Sequence, residues 1–210
     1  MDYRLTEYDI VDWDRLPIAK QSLSKRIDER VREKKHIGEH YSKLSDKSGV
    51  YYQDFERIYE FKCAYCGITT SINSTNMFEI DHFVNKTQKR LSNGKSVNSI
   101  ENLIFSCRKC NQAKSELDVS TICNIIHPDG GISDVFERNN KYEIIINERY
   151  IQDPDVLIFY NKLGLSDKFR KLDYLLMNLQ KMKEVSTNEK LTVLIYKLYT
   201  NLLEMRNRSI

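Results

Sequence analysis

Two cysteine pairs with the same internal spacing give the first chemical signal: Cys63-Ala64-Tyr65-Cys66 and Cys107-Arg108-Lys109-Cys110. Each Cys-x-x-Cys can close into a tight knuckle that gives two thiolates to one ion, and two knuckles complete a tetrahedral zinc site. The pairs stand further apart than in the usual four-cysteine template, which leaves room for a strand, a long loop and a second strand. Inside that insert lies Glu79-Ile80-Asp81-His82-Phe83, and Asn111-Gln112-Ala113-Lys114 follows the second pair directly. Asp81 offers a carboxylate oxygen and Asn111 an amide oxygen. Two oxygen ligands with open water positions suit magnesium or manganese better than zinc. His82 suits a general base, with an ordinary pKa of about 6.5.

Taken in order, Cys63-Ala64-Tyr65-Cys66-Gly67, then Glu79-Ile80-Asp81-His82-Phe83, then Asn102-Leu103-Ile104-Phe105-Ser106-Cys107-Arg108-Lys109-Cys110-Asn111-Gln112-Ala113-Lys114-Ser115 closely resembles the HNH endonuclease family in its four-cysteine, zinc-stabilised form. Asn111 departs from the histidine that ends the family motif; histidine would soften the oxygen site, whereas asparagine keeps it hard. The resemblance implies an α+β chain: a ββα-metal core with a pair of zinc knuckles, flanked by helical N- and C-terminal segments. It implies one structural zinc on Cys63, Cys66, Cys107 and Cys110. It also implies hydrolysis of DNA phosphodiester bonds by a general base, His82, with one magnesium or manganese held by Asp81 and Asn111. Asn102 resembles the middle residue of the motif, which in the family ties down the loop between the strands and so steadies the histidine. Lys114, one helical turn beyond Asn111, is expected to hold a phosphate oxygen, and Glu79 to act as an outer or alternative ligand. A looser similarity to the HNH subunit of Septu-type anti-phage pairs implies a nuclease component of a bacterial defence system, with an ATPase subunit as partner. A stand-alone restriction-type endonuclease is the alternative.

Plainer readings stand beside these. Asn111 is a good helix N-cap, Asn102 an ordinary turn residue, and a lone histidine is more often structural. A zinc-stabilised DNA-binding module without catalysis would share the cysteines but give no reason for Asp81, His82 and Asn111. A redox protein would need one reactive dithiol in a thioredoxin-like setting, and two pairs around a strand–strand–helix pattern argue against it. Strict strand alternation puts Asp81 and His82 on opposite faces, so both serve one site only if the strand ends or bulges there.

The elements that must position these residues read as follows. The 210 residues fit one domain with extensions or two small ones. A net charge of +3 allows nucleic-acid binding only through a local basic surface. Four of five cysteines in pairs point to metal thiolates in a reducing compartment. Met1-Asp2-Tyr3-Arg4 leads into acidic residues, so no signal peptide is expected. No apolar run spans a bilayer, and the cytoplasm is the expected location, without membrane partners. Cys123 reads as a small buried apolar residue.

Residues 1–48 read as an N-terminal helical arm, 49–127 as the nuclease domain, and 128–210 as a hairpin plus helices. In the arm, Leu16, Leu23, Ile27 and Val31 form one stripe. Lys20, Lys25, Arg26, Arg30, Arg32, Lys34 and Lys35 crowd the other faces among Asp28, Glu29 and Glu33. That pattern is a solvated amphipathic helix, with a helix lying along DNA phosphates as the sharper alternative. His36 and His40 read as exposed. A second helix from Gly49 should face inward through Tyr51, Phe55, Ile58 and Phe61. Met77 to Asp81 reads as a strand, Leu103 to Phe105 as another, and a helix should run from Asn111 to about Thr121. The loop from Asn85 to Asn98 carries Lys86, Lys89, Arg90 and Lys95 with no acid, either as plain surface or as a phosphate-contacting loop. Ile132 to Arg138 and Lys141 to Asn147 flank Asn139-Asn140 as a hairpin. Asp153-Pro154 starts a helix to about Leu163, with Gly164 as its cap. Two longer helices, Asp167 to Val185 and Asn188 to Arg206, should pack together through Leu172, Leu175, Leu176, Leu179 and Met182 against Leu191, Leu194, Ile195, Leu198 and Leu202. They would cover the nuclease module or bind a partner.

Overall fold

Pro17 sits in the first turn of a helix, where its missing N–H is no loss. The computed structural model, which describes residues 2–208, forms α1 there, over Leu16–Asp28. Leu16, Leu23 and Ile27 are its buried face, and Lys20, expected on a solvated face, is buried with them because its ammonium pairs with Asp129 and donates to Leu103 O. The helix stops at Asp28 instead of running on through Val31. Its last bonds tighten to Arg30 N–H on Ile27 and Val31 N–H on Asp28. The Asp28 carboxylate then collects the returning chain, accepting from Gly38 N at 3.0 Å and from His40 Nε2 at 3.2 Å. His40 is therefore buried, not exposed, and its Nδ1 accepts from Ile100 N at 2.9 Å. His36 is exposed, as its position in a polar run suggested.

Two helices follow: α2 (Tyr41–Leu44) and α3 (Val50–Ile58). The inner face here is Tyr52, Phe55 and Tyr59. Of the expected face only Phe55 is fully buried, and Phe61 is exposed. The reason lies in the sheet beneath. Strands β1 (Phe78–His82) and β2 (Leu103–Cys107) pair antiparallel, from Phe78 opposite Cys107 to His82 opposite Leu103. Phe105 of β2 stacks on Phe78 with ring centres 5.0 Å apart and meets the edge of Tyr52. Each such buried aromatic is worth roughly 1.5–3 kcal/mol, so α3 turns Tyr52 and Tyr59 toward it.

Helix α4 spans Arg108–Lys114. It begins one turn earlier than expected because the second cysteine pair is itself the first helical turn, with Cys107 at the N-cap position. It ends at Lys114, where Ser115 takes φ +48°. Asn111 is thus inside the helix and is not its cap. Beyond lie α5 (Cys123–Ile126), α6 (Ile132–Val135), and the hairpin β3 (Phe136–Arg138) with β4 (Ile144–Ile146). The Asn139 side chain ties the turn, accepting from Lys141 N and Glu143 N. The stretch before Phe136 is helical where a strand was expected. Cys123 is half-buried.

Asp153 caps α7 (Pro154–Lys162), and Gly164 beyond it has φ +56°. The last two helices, α8 (Lys168–Val185) and α9 (Glu189–Asn207), pack on each other. Helix α9 faces inward through Ile195 and Arg206, and Arg206 Nε donates to Asp173 at 2.8 Å. This ion pair ties the last turns of α9 to α8. Leu191, Leu194 and Leu198, expected in the hairpin core, are 46%, 62% and 53% exposed. No helix among the described residues is long and apolar enough to cross a membrane.

Candidate active site and metal centre

The first knuckle closes on Gly67, at φ +77°, whose N–H donates to Cys63 O at 2.8 Å. An added Cβ would lie 2.3 Å from Arg4 O, so only glycine fits. Tyr3 and Arg4 strap this knuckle. The Tyr3 hydroxyl donates to Tyr65 O, and Arg4 Nη1 donates to Ala64 O at 2.8 Å and Pro128 O at 2.7 Å. The second knuckle runs from the end of β2 into α4. Together they bring the sulfurs of Cys63, Cys66, Cys107 and Cys110 within 4.8 Å of one another, all buried. None is in a disulfide. With Zn–S bonds of about 2.3 Å, tetrahedral sulfurs stand roughly 3.8 Å apart; Cys66 and Cys107 are 3.8 Å apart. The donor set and its spacing fit one zinc ion.

Arg170 of α8 completes this centre. Its Nη2 donates to Cys110 Sγ at 3.1 Å and to Leu163 O at 3.1 Å, and the guanidinium is buried. A buried cation beside thiolates offsets their charge. Arg170 was not singled out in the sequence, where nothing links it to the cysteines.

Glu79 and Asp81 alternate with Ile80 and so share one face of β1, toward α4. Glu79 accepts from Arg108 Nε and from Asn111 Nδ2, each at 2.7 Å. Burial works to raise its carboxyl pKa, but the bonds from Asn111 and Arg108 prevail and hold it below the ordinary range. Asp81 is buried and accepts from Tyr65 OH at 2.6 Å, with Lys114 Nζ 3.2 Å from the same carboxylate oxygen. Burial pushes its pKa up against the opposing pull of Lys114 and Tyr65. Lys114 is itself fully buried and donates to His82 O at 2.9 Å; it faces the carboxylate, not the surface. Asn111 is half-buried and is bonded to Glu79, not to Asp81.

His82 is the last residue of β1, and its ring has partners of its own. Nε2 lies 2.8 Å from Asn98 Oδ1, and the Tyr41 ring lies 4.4 Å from the imidazole, tilted by 40°. The ring is half-buried, and that burial holds its pKa below the ordinary value, so the imidazole is neutral near pH 7. Asn102 is buried and clamps the loop between the strands at both ends. Its Oδ1 accepts from Val84 N, and its Nδ2 donates to Val84 O and Val97 O. Lys86, Lys89, Arg90 and Lys95 are exposed on that loop, where Lys95 pairs with Glu101 at 2.6 Å.

A cleft of about 970 Å³, lined by Lys20, Asp28, His40, Asn102, His127 and Asp129 among others, touches none of Asp81, His82 and Asn111. Within it Lys20 pairs with Asp129, and His40 Nε2 donates to Asp28.

The family model of the HNH endonucleases matches residues 63–117. Neither the comparison with curated proteins nor that with solved structures gives a match. The matched stretch contains both knuckles, both strands of the first sheet and α4. Over residues 63–117 the chain therefore matches the HNH endonuclease family, and that stretch contains the four cysteines placed to hold one metal ion.

Proposed function

We propose that the protein is a metal-dependent endonuclease that hydrolyses DNA phosphodiester bonds, with His82 as the general base. The observation that carries this reading is the setting of His82: its ring is held by Asn98 and Tyr41 at the end of β1, where Asp81 precedes it on the strand. Asn98 Oδ1 accepts from Nε2–H, which leaves the Nδ1 lone pair to take a proton from water. Asp81 and Asn111 would hold one magnesium or manganese, which neutralises charge on the phosphate and on the leaving oxygen. Both ligand atoms would be oxygens, as a hard cation requires, and the ion would share the Asp81 carboxylate with the Lys114 ammonium 3.2 Å from it. Glu79 takes Asn111 Nδ2 and so leaves Oδ1 as the ligand atom. Lys114 and Tyr65 hold Asp81 in line and favour its charged form. The exposed cations Lys86, Lys89, Arg90 and Lys95 supply phosphate contacts along the duplex. Plasmid nicking by the purified protein in magnesium or manganese tests the reading.

The setting we infer is the nuclease component of an anti-phage system with an ATPase-type partner. The exposed Leu191, Leu194 and Leu198 of α9 support a protein contact there. Co-purification with the product of the neighbouring gene tests it.

A further inference from the structure

The side-chain amide of Asn98 has two unlike ends, and the end that meets His82 decides which imidazole nitrogen is free. Asn98 Nδ2 donates to Glu39 Oε2 at 2.7 Å. A carboxylate can only accept, so it must take the NH2 end of the amide. The carbonyl end is thereby turned to His82 Nε2, at 2.8 Å. That oxygen also only accepts, so Nε2 carries the proton. In a neutral imidazole, Nδ1 then keeps its lone pair. Nδ1 has no hydrogen-bond partner among the described residues. The Tyr41 ring, 4.4 Å away, resists a flip of the imidazole that would exchange the two nitrogens.

Glu39 lies outside the HNH match, in the irregular segment between α1 and α2. Its neighbours fasten it in place. Gly38 N donates to Asp28 Oδ1 at 3.0 Å, and His40 N donates to Asn98 O at 3.0 Å. His40 Nδ1 accepts from Ile100 N at 2.9 Å. The carboxylate is therefore held against Asn98 by bonds on either side of it.

We infer that Glu39 and Asn98 are positioning residues that set the tautomer and orientation of His82, so that the N-terminal segment completes the site that the HNH domain carries. This inference rests on the reading of His82 as the base. It predicts that charge chemistry at position 39 reaches the imidazole through the amide. A lysine at 39 has donors only. It would draw Asn98 Oδ1 to itself and turn the NH2 end toward His82, which then must accept at Nε2 and carry its proton on Nδ1.

The test uses full-length Glu39→Gln, Glu39→Lys, the double variant Glu39→Lys with Asn98→Asp, and Asn98→Leu. Two readouts are taken: kcat and KM for plasmid cleavage, and the imidazole ¹⁵N shifts of His82, assigned by their loss in His82→Ala. Glu39→Gln, whose amide can accept or donate, no longer fixes which end of Asn98 it meets, and should fall between the wild type and Glu39→Lys in both readouts. Glu39→Lys should lower kcat by about 10- to 100-fold, part of what a general base contributes. Its KM should stay nearly constant, and its ¹⁵N pattern should move from Nε2–H to Nδ1–H. The double variant restores an acceptor to Nε2–H and should recover both rate and pattern. Asn98→Leu, which removes the acceptor without adding charge, should lower kcat in the same way. An unchanged His82 tautomer in folded Glu39→Lys and Asn98→Leu, or a wild-type kcat in both, overturns the inference. Full activity of His82→Ala would instead overturn the base assignment, and the tautomer readout stands apart from it.

Discussion

The ammonium of Lys114 lies 3.2 Å from a carboxylate oxygen of Asp81, and both side chains are buried. The lysine comes from the last turn of α4 and the aspartate from β1, so this pair joins the two elements that form the site. Leaving one member of a buried pair without the other costs on the order of 3–5 kcal/mol. Lys114→Met should therefore lower the melting temperature sharply, and adding Asp81→Asn should recover most of the loss. Thermal unfolding of the single and double variants checks this. A single variant as stable as the wild type would contradict it.

Zinc should be present at one equivalent in freshly purified protein, measured by elemental analysis. Structural zinc is worth about 10–16 kcal/mol in finger peptides, so Cys107→Ser should lose the ion together with solubility or melting temperature. Arg170→Met should retain less zinc than the wild type, because its guanidinium is 3.1 Å from Cys110 Sγ. Thiols without metal in unchelated protein would refute this.

Loss of either proposed oxygen ligand should differ from loss of the base. Asp81→Ala and Asn111→Ala should regain part of their cleavage as manganese is raised, since a weakened site can be refilled by mass action. His82→Ala should not respond. Titrations of manganese against cleavage rate for the three variants separate the two roles. A common response in all three would merge them.

Acid stability should depend on Asp129. Burial works to raise its pKa, but Lys20, 2.5 Å away, and the Tyr59 hydroxyl hold it below the ordinary 3.8. A depressed carboxyl stabilises the fold fully above that ordinary value. Its contribution fades as pH falls through the lower folded value. Asp129→Asn should then be well below the wild type in melting temperature at neutral pH, with the gap closing below about pH 4. A gap that stays constant into stronger acid would contradict the assignment.

The four-cysteine cluster and the strand–strand–helix order around it were legible because their signals are local. Cysteine pairs, Asp81-His82 and Asn111 each show their type and spacing within a few residues, and the strand–strand–helix order follows from them. What holds these residues was not legible. Arg170, Glu39, Asn98 and Tyr65 reach the site from separate parts of the chain, and no spacing rule links them to it. Lys114 read as a phosphate-binding cation because nothing in the sequence shows that α4 turns it onto Asp81. His40 read as exposed because its partners, Asp28 and Ile100, lie on two different segments. The start of α4 was misplaced because a knuckle and a helical turn share the same residues. On α9, Ile195 is buried as expected, but Leu191, Leu194 and Leu198 are exposed and Arg206 turns inward to Asp173, a contact that apolar periodicity does not show.

The most direct measurement is conversion of supercoiled plasmid by zinc-loaded wild type and His82→Ala, in magnesium or manganese and again in EDTA. The wild type should cleave only with the divalent ion. His82→Ala should be slower by about 10²–10⁴-fold, with zinc content, folding and DNA binding retained. Cleavage by His82→Ala at near the wild-type rate, or cleavage undiminished in EDTA with zinc still bound, would contradict the account.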